Sequence, residues 1–357
     1  MKTAKTFFLA MLLVSWTIPS ICLCGEEAAH LAIVVSMEGE GAKVKRFSQN
    51  DLESPAKVGM KLYDKDTVIT PALSTCSLMF NTGDVVRVAA NSRLTVNMRP
   101  QDSKSLMSVS RKLAAAFFTE DPNEDTLAAV GGVRAIDKEM PVLLFPKEAT
   151  IVKERPTFQW SEIPGAKSYA VTLTDSEGNV WTKEGVGQTQ LQYPNDFPAL
   201  KQGSNYFWQV DAVLKTTKKT SEAGTFDLAS EEIKKEIEGI RSNLSKNSNA
   251  SEMLFILAMV YQEHNMMHEA IQEYQTMIQS NPNVAYPYEQ LGNIYLKLGW
   301  KDKSIAAFQK AARLDPESSE AHRCLAKLYE VTGENDKAKA EQEIVNKMAL
   351  AAEGIKK

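Results

Sequence analysis

Cysteine and histidine are scarce in this chain of 357 residues, with only 4 of each. Disulfide-stapled domains use cysteine far more densely, and metal centres or Cys/His catalytic sites need several such side chains close together. The scarcity therefore argues against both classes. Basic and acidic residues nearly balance, at 41 and 45, so there is no basic excess for gripping nucleic acid. Hydrophobic residues make up 43% and charged residues 24%, which is typical of folded protein.

Long apolar runs are also missing. The apolar run near the N-terminus, residues 7–18, has 12 residues, and crossing a bilayer takes about 20. Two lysines precede it and small residues follow it, which is the layout of a secretory signal peptide. We predict that residues 1–24 are a signal peptide cleaved before Gly25 and that the remainder is exported, most simply to the periplasm. The alternatives are lipidation of Cys24, with outer-membrane association, and an uncleaved anchor.

The first part of the exported chain reads as short strands. The segments IVVSM, AKVKRF, KLYDKDTVIT, CSLMF and DVVRVAA alternate apolar and polar residues and are separated by Gly, Asn, Asp and Pro. We predict a small all-β domain of about nine strands or fewer, folded as a sandwich or a barrel. Residues 99–128 stay unassigned, because their periodicity does not distinguish a helix from a buried strand.

This region resembles the FecR domain over about residues 30–137. The resemblance rests on Gly59, Leu62, the stretch 64–70, Ser74, Phe80, Thr82-Gly83, the stretch 85–88 and the segment 129–134. It implies a periplasmic sensor or regulator as one possible role. Regulatory members carry a cytoplasmic helical segment and a membrane helix ahead of this domain, whereas this chain has a predicted signal peptide there.

A second β region is predicted over residues 141–228. Its clearest strands are 168–175 and 206–213, which alternate as half-buried antiparallel strands do, and about seven strands fit an immunoglobulin-like sandwich. The order Phe158-x-Trp160, Gly165-Ala-x-x-Tyr169 and Tyr206-x-Trp208-x-Val210 resembles bacterial fibronectin type III-like modules. The spacing places Trp160 and Trp208 in the core. Trp181 lies beside a turn, and if exposed it would suit a glycan or peptidoglycan binder.

The C-terminal region repeats with a period of 34 residues. Leu257, Leu291 and Leu325 share this step, as do three tyrosines (261, 295, 329), three small residues (258, 292, 326) and two prolines (282, 316). The pattern resembles the tetratricopeptide repeat (TPR), a helix-turn-helix unit of 34 residues. We predict a linker helix within residues 229–250 and an all-α solenoid of three repeats over 251–284, 285–318 and 319–352.

The resemblance implies a concave groove, lined by the first helix of each repeat, that binds a protein or peptide. The matching positions are Phe255, Met259, Gln262, Glu289, Asn293, Arg323 and Lys327. Some family members clamp a peptide carboxylate with asparagine and basic side chains, and the last three residues match part of that clamp. Phe255 and Met259 instead favour an apolar segment. An ordinary solvated helix face is the alternative.

Two patterns could suggest a metal, and neither is convincing. Asp64, Asp66 and Asp84 are more simply turn residues, because aspartate side chains hydrogen-bond to nearby backbone groups. His264 and His268 are four residues apart but lie at the predicted turn between two helices, with no third ligand evident. We predict no metal, no cofactor and no catalytic residue.

These patterns favour a scaffold over an enzyme. The sequence has no G-x-S-x-G, no H-E-x-x-H and no Cys/His pair within one module. The leading hypothesis is a non-catalytic cell-envelope scaffold or adaptor that binds protein partners through its TPR groove. A periplasmic sensor acting through the FecR-like domain and a glycan binder are the alternatives.

Overall fold

The structure is a computed structural model that describes residues 30–47, 52–97, 105–108 and 140–355. The predicted signal peptide and the segment 129–134 lie outside the described residues. Within the unassigned segment 99–128, only the backbone of residues 105–108 is described. No helix in the described part of the chain combines the length and the apolar character that a membrane crossing requires.

The N-terminal β domain, residues 30–97 with 105–108, consists of two packed sheets. One has the strand order β4-β1-β6-β7-β9 and the other β3-β2-β5-β8, with neighbouring strands antiparallel. Side chains from both sheets, including Val34, Leu78, Val44 and Val68, form one buried core between them. The strands are β1 Ala32–Glu38, β2 Lys43–Arg46, β3 Leu52–Pro55, β4 Lys61–Leu62, β5 Thr67–Thr70, β6 Thr75–Phe80, β7 Asp84–Val88, β8 Ser92–Thr95 and β9 Ser105–Ser108.

The second β domain, residues 141–228, also has two sheets. A three-stranded sheet, β10-β12-β15, faces a six-stranded sheet, β11-β18-β16-β13-β14, in which β17 pairs with β16. Asp175 accepts hydrogen bonds from the backbone N–H groups of Glu177 and Gly178 and so forms the predicted turn. The strands are β10 Leu143–Phe145, β11 Ala149–Ile151, β12 Thr157–Trp160, β13 Ser168–Asp175, β14 Gly178–Val186, β15 Gln190–Gln192, β16 Tyr206–Val213, β17 Lys218–Thr220 and β18 Gly224–Leu228.

Aromatic rings fill the core of the second β domain. Trp160 and Trp208 are almost fully buried, and Phe158 lies 4.9 Å from Trp208 between ring centroids. The alternating strand β16 places Tyr206, Trp208 and Val210 on the same inward face. The predicted core role of both tryptophans is therefore confirmed.

The C-terminal region is helical, with seven helices in the described residues. They are α1 Glu231–Asn247, α2 Ala250–Glu263, α3 Met267–Ser280, α4 Tyr286–Lys297, α5 Lys301–Leu314, α6 Ser319–Thr332 and α7 Asn335–Ile355. Ser230 caps α1, because its side chain accepts a hydrogen bond from the N–H of Ile233. Helices α2 to α7 form three antiparallel pairs, and α1 packs against α2 through Ile237 and Leu244, so it belongs to the same core.

The 34-residue pattern has a visible packing basis. Gly292 lies against Phe308, and a β-carbon at Gly292 would come within 2.8 Å of three atoms of that ring. A small residue at this position therefore allows the two helices of the second repeat to approach. Tyr274 and Phe308 are fully buried between helices. Helices α3 and α5 each end two residues before a proline, which cannot continue the hydrogen-bond ladder.

Candidate protein-binding groove

The seven predicted groove residues lie on the first helices of the three repeats. They are Phe255, Met259 and Gln262 on α2, Glu289 and Asn293 on α4, and Arg323 and Lys327 on α6. Five of the seven fall into two sets, and Gln262 and Glu289 make internal hydrogen bonds. The proximal half of the groove, defined by Glu252, Phe255, Met259 and Tyr286, is buried against the N-terminal β domain. The distal half, defined by Asn293, Arg323 and Lys327, lies towards the third repeat.

Phe255 and Met259 are both buried, with exposed fractions of 0% and 3%. The Phe255 ring stacks on Tyr286, with centroids 4.9 Å apart and ring planes 16° apart. Both side chains belong to a buried cluster that also contains four residues of the N-terminal β domain: Ile33, Val35, Met79 and Val85. The expectation of a separate apolar partner at Phe255 and Met259 is therefore corrected, since the chain's own sheet covers this part of the groove.

Glu252 is the polar centre of this contact and is fully buried. Nη2 of Arg87 lies 2.7 Å from Oε1 and 2.9 Å from Oε2 of Glu252. The hydroxyl groups of Ser36 and Ser77 also donate to Oε1. A buried carboxylate is stable only when it is paired and hydrogen-bonded, and the sheet supplies both requirements.

The same carboxylate also begins helix α2. Oε2 of Glu252 accepts a hydrogen bond from the backbone N–H of Asn249 at 3.1 Å, and the Asn249 side chain accepts from the N–H of Glu252 at 2.8 Å. This reciprocal pair is a capping box, which satisfies two helix N–H groups. Glu252 therefore links the start of the repeat region to the N-terminal sheet.

A β-bulge shapes the sheet surface that enters the groove. The register of β1 against β6 shifts between Val34 and Ser36, so Val35 is an extra residue on β1. Val35 and Ser36 consequently both contact the repeat region, through the apolar cluster and through Glu252 respectively. The bulge places an apolar and a hydrogen-bonding side chain next to each other on one face.

Two further contacts connect the β3–β4 loop to the second repeat. Gly59 has a φ of +86°, and a β-carbon there would overlap the ring of Tyr286. Nζ of Lys57 lies 2.6 Å from Oδ1 of Asp315, which follows α5, and 3.6 Å from Oε2 of Glu317. The N-terminal β domain therefore reaches from α2 to the junction between the second and third repeats.

Gln262 and Glu289 serve internal hydrogen bonds. Oε1 of Gln262 accepts from the hydroxyl of Tyr274 at 2.5 Å. Glu289 accepts from the hydroxyl of Ser318, the residue that caps α6. The pKa of Glu289 is raised to about 7, chiefly by burial and in smaller part by the carboxylates of Glu320 and Asp315, against the lowering effects of the Ser318 hydrogen bond and Lys57.

The distal half combines an amide and two cations. Oδ1 of Asn293 is buried and has no hydrogen-bond partner among the described residues. Nη2 of Arg323 lies 2.7 Å from Oε2 of Glu320, and Nζ of Lys327 lies 2.8 Å from Oε2 of Glu330. Both ion pairs join residues three apart on α6 and are partly exposed, so they stabilise the protein little. The distal half thus contains an acceptor that no described residue satisfies and two positive side chains.

Sequence reasoning missed Glu252 and Tyr286, although a signal was present. Glu252, Tyr286 and Glu320 are 34 residues apart, at the groove position that begins each first helix. The sheet residues were also signalled, because the run Leu31–Val35 is apolar at five consecutive positions. A strand with one buried face alternates, whereas a continuous run indicates burial on both faces.

The second β domain contacts the turns of the first two repeats. The backbone N–H of Thr150 donates to the carbonyl of Asn265, and the Asn265 side chain donates to the carbonyl of Glu148, both at 3.0 Å. At the next turn, Lys147 donates to the carbonyl of Leu298 at 3.1 Å. Both helix-helix turns therefore serve as docking points.

Of the two histidines, His268 belongs to this junction and His264 faces helix α1. His268 lies against Phe145, with ring centroids 4.4 Å apart, and Nε2 of His264 lies 3.5 Å from Oε2 of Glu236. Within the described residues, no group of three or more His, Cys, Asp or Glu side chains could hold a metal ion. Asp66 is engaged internally, since it accepts from Arg46 and from two backbone N–H groups.

Trp181 does not have the exposure that a glycan platform needs. It is only 5% exposed and lies in the core, with its ring centroid 5.5 Å from that of Tyr193 and 6.1 Å from that of Phe158. Its strand pairs with β13 so that Trp181 is opposite Leu173, which is also buried. Trp181 is therefore buried, and the glycan-binding alternative, which needs this side chain exposed, has no support from it.

Comparison with protein families identifies two regions. The model of the tetratricopeptide repeat matches residues 285–318, which are the bounds predicted for the second repeat. The chain therefore contains a TPR unit. A domain of unknown function, DUF928, matches residues 129–291, which is less than half of the chain and includes the second β domain and the first repeat. No curated protein matches the chain.

Solved structures of MamA align with about a third of the chain. One crystal structure of MamA has 24% identity and a TM-score of 0.31, covering 33% of this chain and 70% of that chain. MamA MSR-1 C2 has 20% identity and a TM-score of 0.30, covering 34% and 70%. MamA AMB-1 P212121 has 22% identity and a TM-score of 0.29, covering 33% and 64%. Likeness at this level carries no argument about function.

Proposed function

We propose that this chain is a non-catalytic scaffold or adaptor of the cell envelope that binds a protein partner through the distal half of its TPR groove. The observation that carries the proposal is the occupied proximal half. There the repeat region already binds folded protein, using a buried carboxylate, an aromatic stack and an apolar surface. The residues proposed to bind a partner are therefore those of the distal half, Asn293, Arg323 and Lys327.

The chemistry of the distal half favours a peptide that carries a carboxylate. Arg323 and Lys327 are positive side chains on one face of α6, and Asn293 on α4 supplies a polar amide. Arginine can bind a carboxylate with two parallel hydrogen bonds, and an asparagine amide can pair with a peptide backbone. A C-terminal carboxylate or an acidic side chain of the partner fits this arrangement.

Binding of matched peptides tests the site. A set of short fluorescent peptides with free C-terminal carboxylates is compared with the same peptides carrying C-terminal amides. We expect the free acids to bind more tightly, and the double variant Arg323→Gln with Lys327→Gln to lose at least tenfold in affinity. Glutamine is preferred to glutamate here, because glutamate would repel Glu320 and Glu330 three residues away.

The matched control removes two charges from the same repeat. Lys339 and Lys347 are exposed on α7, the second helix of that repeat, and their double glutamine variant should bind like the wild-type chain. Equal binding of acids and amides, or equal loss in both double variants, would remove the carboxylate site from the proposal. Circular dichroism checks that helical content is unchanged.

A sensor role is the second candidate, and one observation favours it. The domain that resembles FecR touches both α2 and the junction after α5, so a ligand that displaces this domain would uncover Phe255 and Tyr286. Export to the periplasm and the fibronectin-like character of the second β domain are part of the same proposal. Cell fractionation of the tagged full-length chain tests the compartment, and a cytoplasmic pool alone would contradict it.

A further inference from the structure

A cleft lies between the second β domain and helix α3, on a different side of the repeats from the groove. Its volume is about 400 Å³, at the lower end of the size of small-molecule pockets. One wall comes from the β domain, including Lys153, Arg155 and Gln159, and the other from His268, Glu269 and Gln272 on α3. Both walls fall within the single match to DUF928, residues 129–291.

The wall on α3 contains a carboxylate with one oxygen that has no hydrogen-bond partner among the described residues. Oε2 of Glu269 is buried and accepts no hydrogen bond from any described residue. Burial raises the pKa of Glu269 to about 7, while its own backbone N–H and the charge of Lys153 lower it. Buried polar groups are almost always satisfied in native proteins, so an unsatisfied acceptor that lines a cleft points to a missing donor.

The opposite wall carries positive charge that forms no salt bridge with a carboxylate of the described residues. Lys153 is exposed at the cleft and forms no salt bridge with a described residue. Arg155 donates to the backbone carbonyls of Pro194 and Phe197, which orient its guanidinium but leave its charge uncompensated. A ligand that satisfies both walls therefore needs a cationic donor at one end and an anion at the other.

We propose that this cleft binds a small zwitterionic ligand, a free α-amino acid or a dipeptide, with its ammonium group on Glu269 and its carboxylate towards Lys153 and Arg155. Amide groups of Gln159 and Gln272 line the space between these ends. His268 is kept neutral, because burial and Lys153 lower its pKa, so it does not compete with the ligand's ammonium group. The site is separate from the peptide groove and does not depend on the proposed scaffold function.

Titration calorimetry on the full-length chain tests the site with L-leucine, L-glutamine and glycylglycine. Each probe is paired with its N-acetyl form, which lacks the ammonium group, and with its C-terminal amide, which lacks the carboxylate. We expect the zwitterions to bind and both blocked forms to bind with at least tenfold lower affinity. Absence of binding by all three zwitterions at millimolar concentration would overturn the proposal, and so would N-acetyl forms that bind equally well.

Two variants assign the ends of the ligand. Glu269→Gln should abolish the preference for a free ammonium group, and Lys153→Gln should reduce the preference for a free carboxylate. Glu343→Gln, on an exposed position of α7, is the matched control and should bind like the wild-type chain. Wild-type affinity in Glu269→Gln would overturn the proposal. The melting temperature of Glu269→Gln checks that this variant is folded. Removing a buried carboxylate with an unsatisfied oxygen should leave the chain as stable as the wild type or more stable.

The pH dependence supplies an independent readout. The titratable groups near Glu269 are His268 on its own helix, Tyr261 on α2, and Lys153 and Arg155 on the β domain. Because an ammonium group favours the ionised form of Glu269, affinity should rise between pH 6 and pH 8, and binding at pH 6.5 should release a proton. In Glu269→Gln this pH dependence should be absent, and an unchanged pH dependence would assign the titration to another group and contradict the site.

Discussion

Nη2 of Arg87 lies 2.7 Å from Oε1 of Glu252, although the two residues are 165 positions apart in the sequence. Arg87 is on a strand of the N-terminal β domain, and Glu252 is in the first turn of the first repeat. The pair therefore joins two regions whose periodicities are unrelated. It also explains why the proximal half of the groove is closed to other partners.

The two members of this pair should respond differently to substitution. Arg87→Met leaves the buried carboxylate of Glu252 without its counter-charge, and we expect a loss of about 3 kcal/mol in the free energy of unfolding. Glu252→Gln leaves Arg87, whose side chain is 34% exposed and can be hydrated, so a loss of about 1–2 kcal/mol is expected. Urea denaturation followed by circular dichroism measures both, and the reverse order would contradict the burial assigned to Glu252.

Gly59→Ala should destabilise the protein by more than the positive φ of this residue alone explains. Gly59 has a φ of +86° and lies against Tyr286, whereas Gly203 has a φ of +76° and no atom near its would-be β-carbon. Gly203→Ala should therefore lower the free energy of unfolding by about 1 kcal/mol, the cost of a positive φ alone. Gly59→Ala should lower it by about 2–4 kcal/mol in total. If the melting temperature falls equally in the two variants, the loop does not pack on Tyr286.

Gly292→Ala and Gly239→Ala should have opposite signs. Both glycines are helical, and alanine is the better helix former by about 1 kcal/mol. Gly239 on α1 has open space around it, so its substitution should stabilise the chain. At Gly292 the new methyl group would meet the Phe308 ring at 2.8 Å, so the helices of the second repeat must move apart. A melting temperature that is higher than that of the wild type in both variants would contradict the close packing of this repeat.

The pKa of Glu289 predicts a pH-dependent stability. Its folded value of about 7 lies above the ordinary value of 4.5, so the folded chain binds this proton more tightly than the unfolded chain. The contribution of Glu289 to stability is therefore most favourable below pH 4.5, declines between pH 4.5 and 7, and is constant above that. Glu289→Gln should remove this decline. The free energy of unfolding of the variant, measured relative to that of the wild type, should therefore be about 1–3 kcal/mol higher at pH 8 than at pH 5.

Denaturation of both chains at the two pH values checks this. Glutamine keeps an acceptor for the Ser318 hydroxyl, so the cap of α6 is retained. Other titrating groups, including Glu269, contribute equally to both chains and cancel in the difference. A difference between wild type and variant that does not change with pH would show that Glu289 ionises normally.

The sequence predicted elements well where a period was long and regular. The 34-residue step identified the repeats, and alternation identified β13 and β16, because these patterns reflect burial within one unit. The sequence left the exposure of Trp181 open, because its proximity to a turn gave no information about the direction of its side chain. The register of β14 against β13 turns it inward opposite Leu173.

Contacts between units were the main part that the sequence did not predict. A groove position is defined by the repeat alone, so Phe255 looks the same whether its neighbour is a ligand or the chain's own sheet. The docking depends on the bulge at Val35, on Gly59 and on a single arginine, and none of these has a period. The apolar run in β1 was the available sign that both faces of this sheet are covered.

Zero-length crosslinking tests the central claim, that the N-terminal β domain occupies the groove of its own chain. Carbodiimide joins a lysine to a carboxylate only when they are in direct contact, and Lys57 lies 2.6 Å from Asp315. The pair Lys218 and Asp211, also 2.6 Å apart within the second β domain, is the internal control. A mixture of isotope-labelled and unlabelled chains distinguishes crosslinks within one chain from those between chains. We predict that mass spectrometry finds Lys57 joined to Asp315 or Glu317 within single chains. A sample in which the control pair is crosslinked and Lys57 is not, or in which Lys57 is joined only between chains, would contradict it.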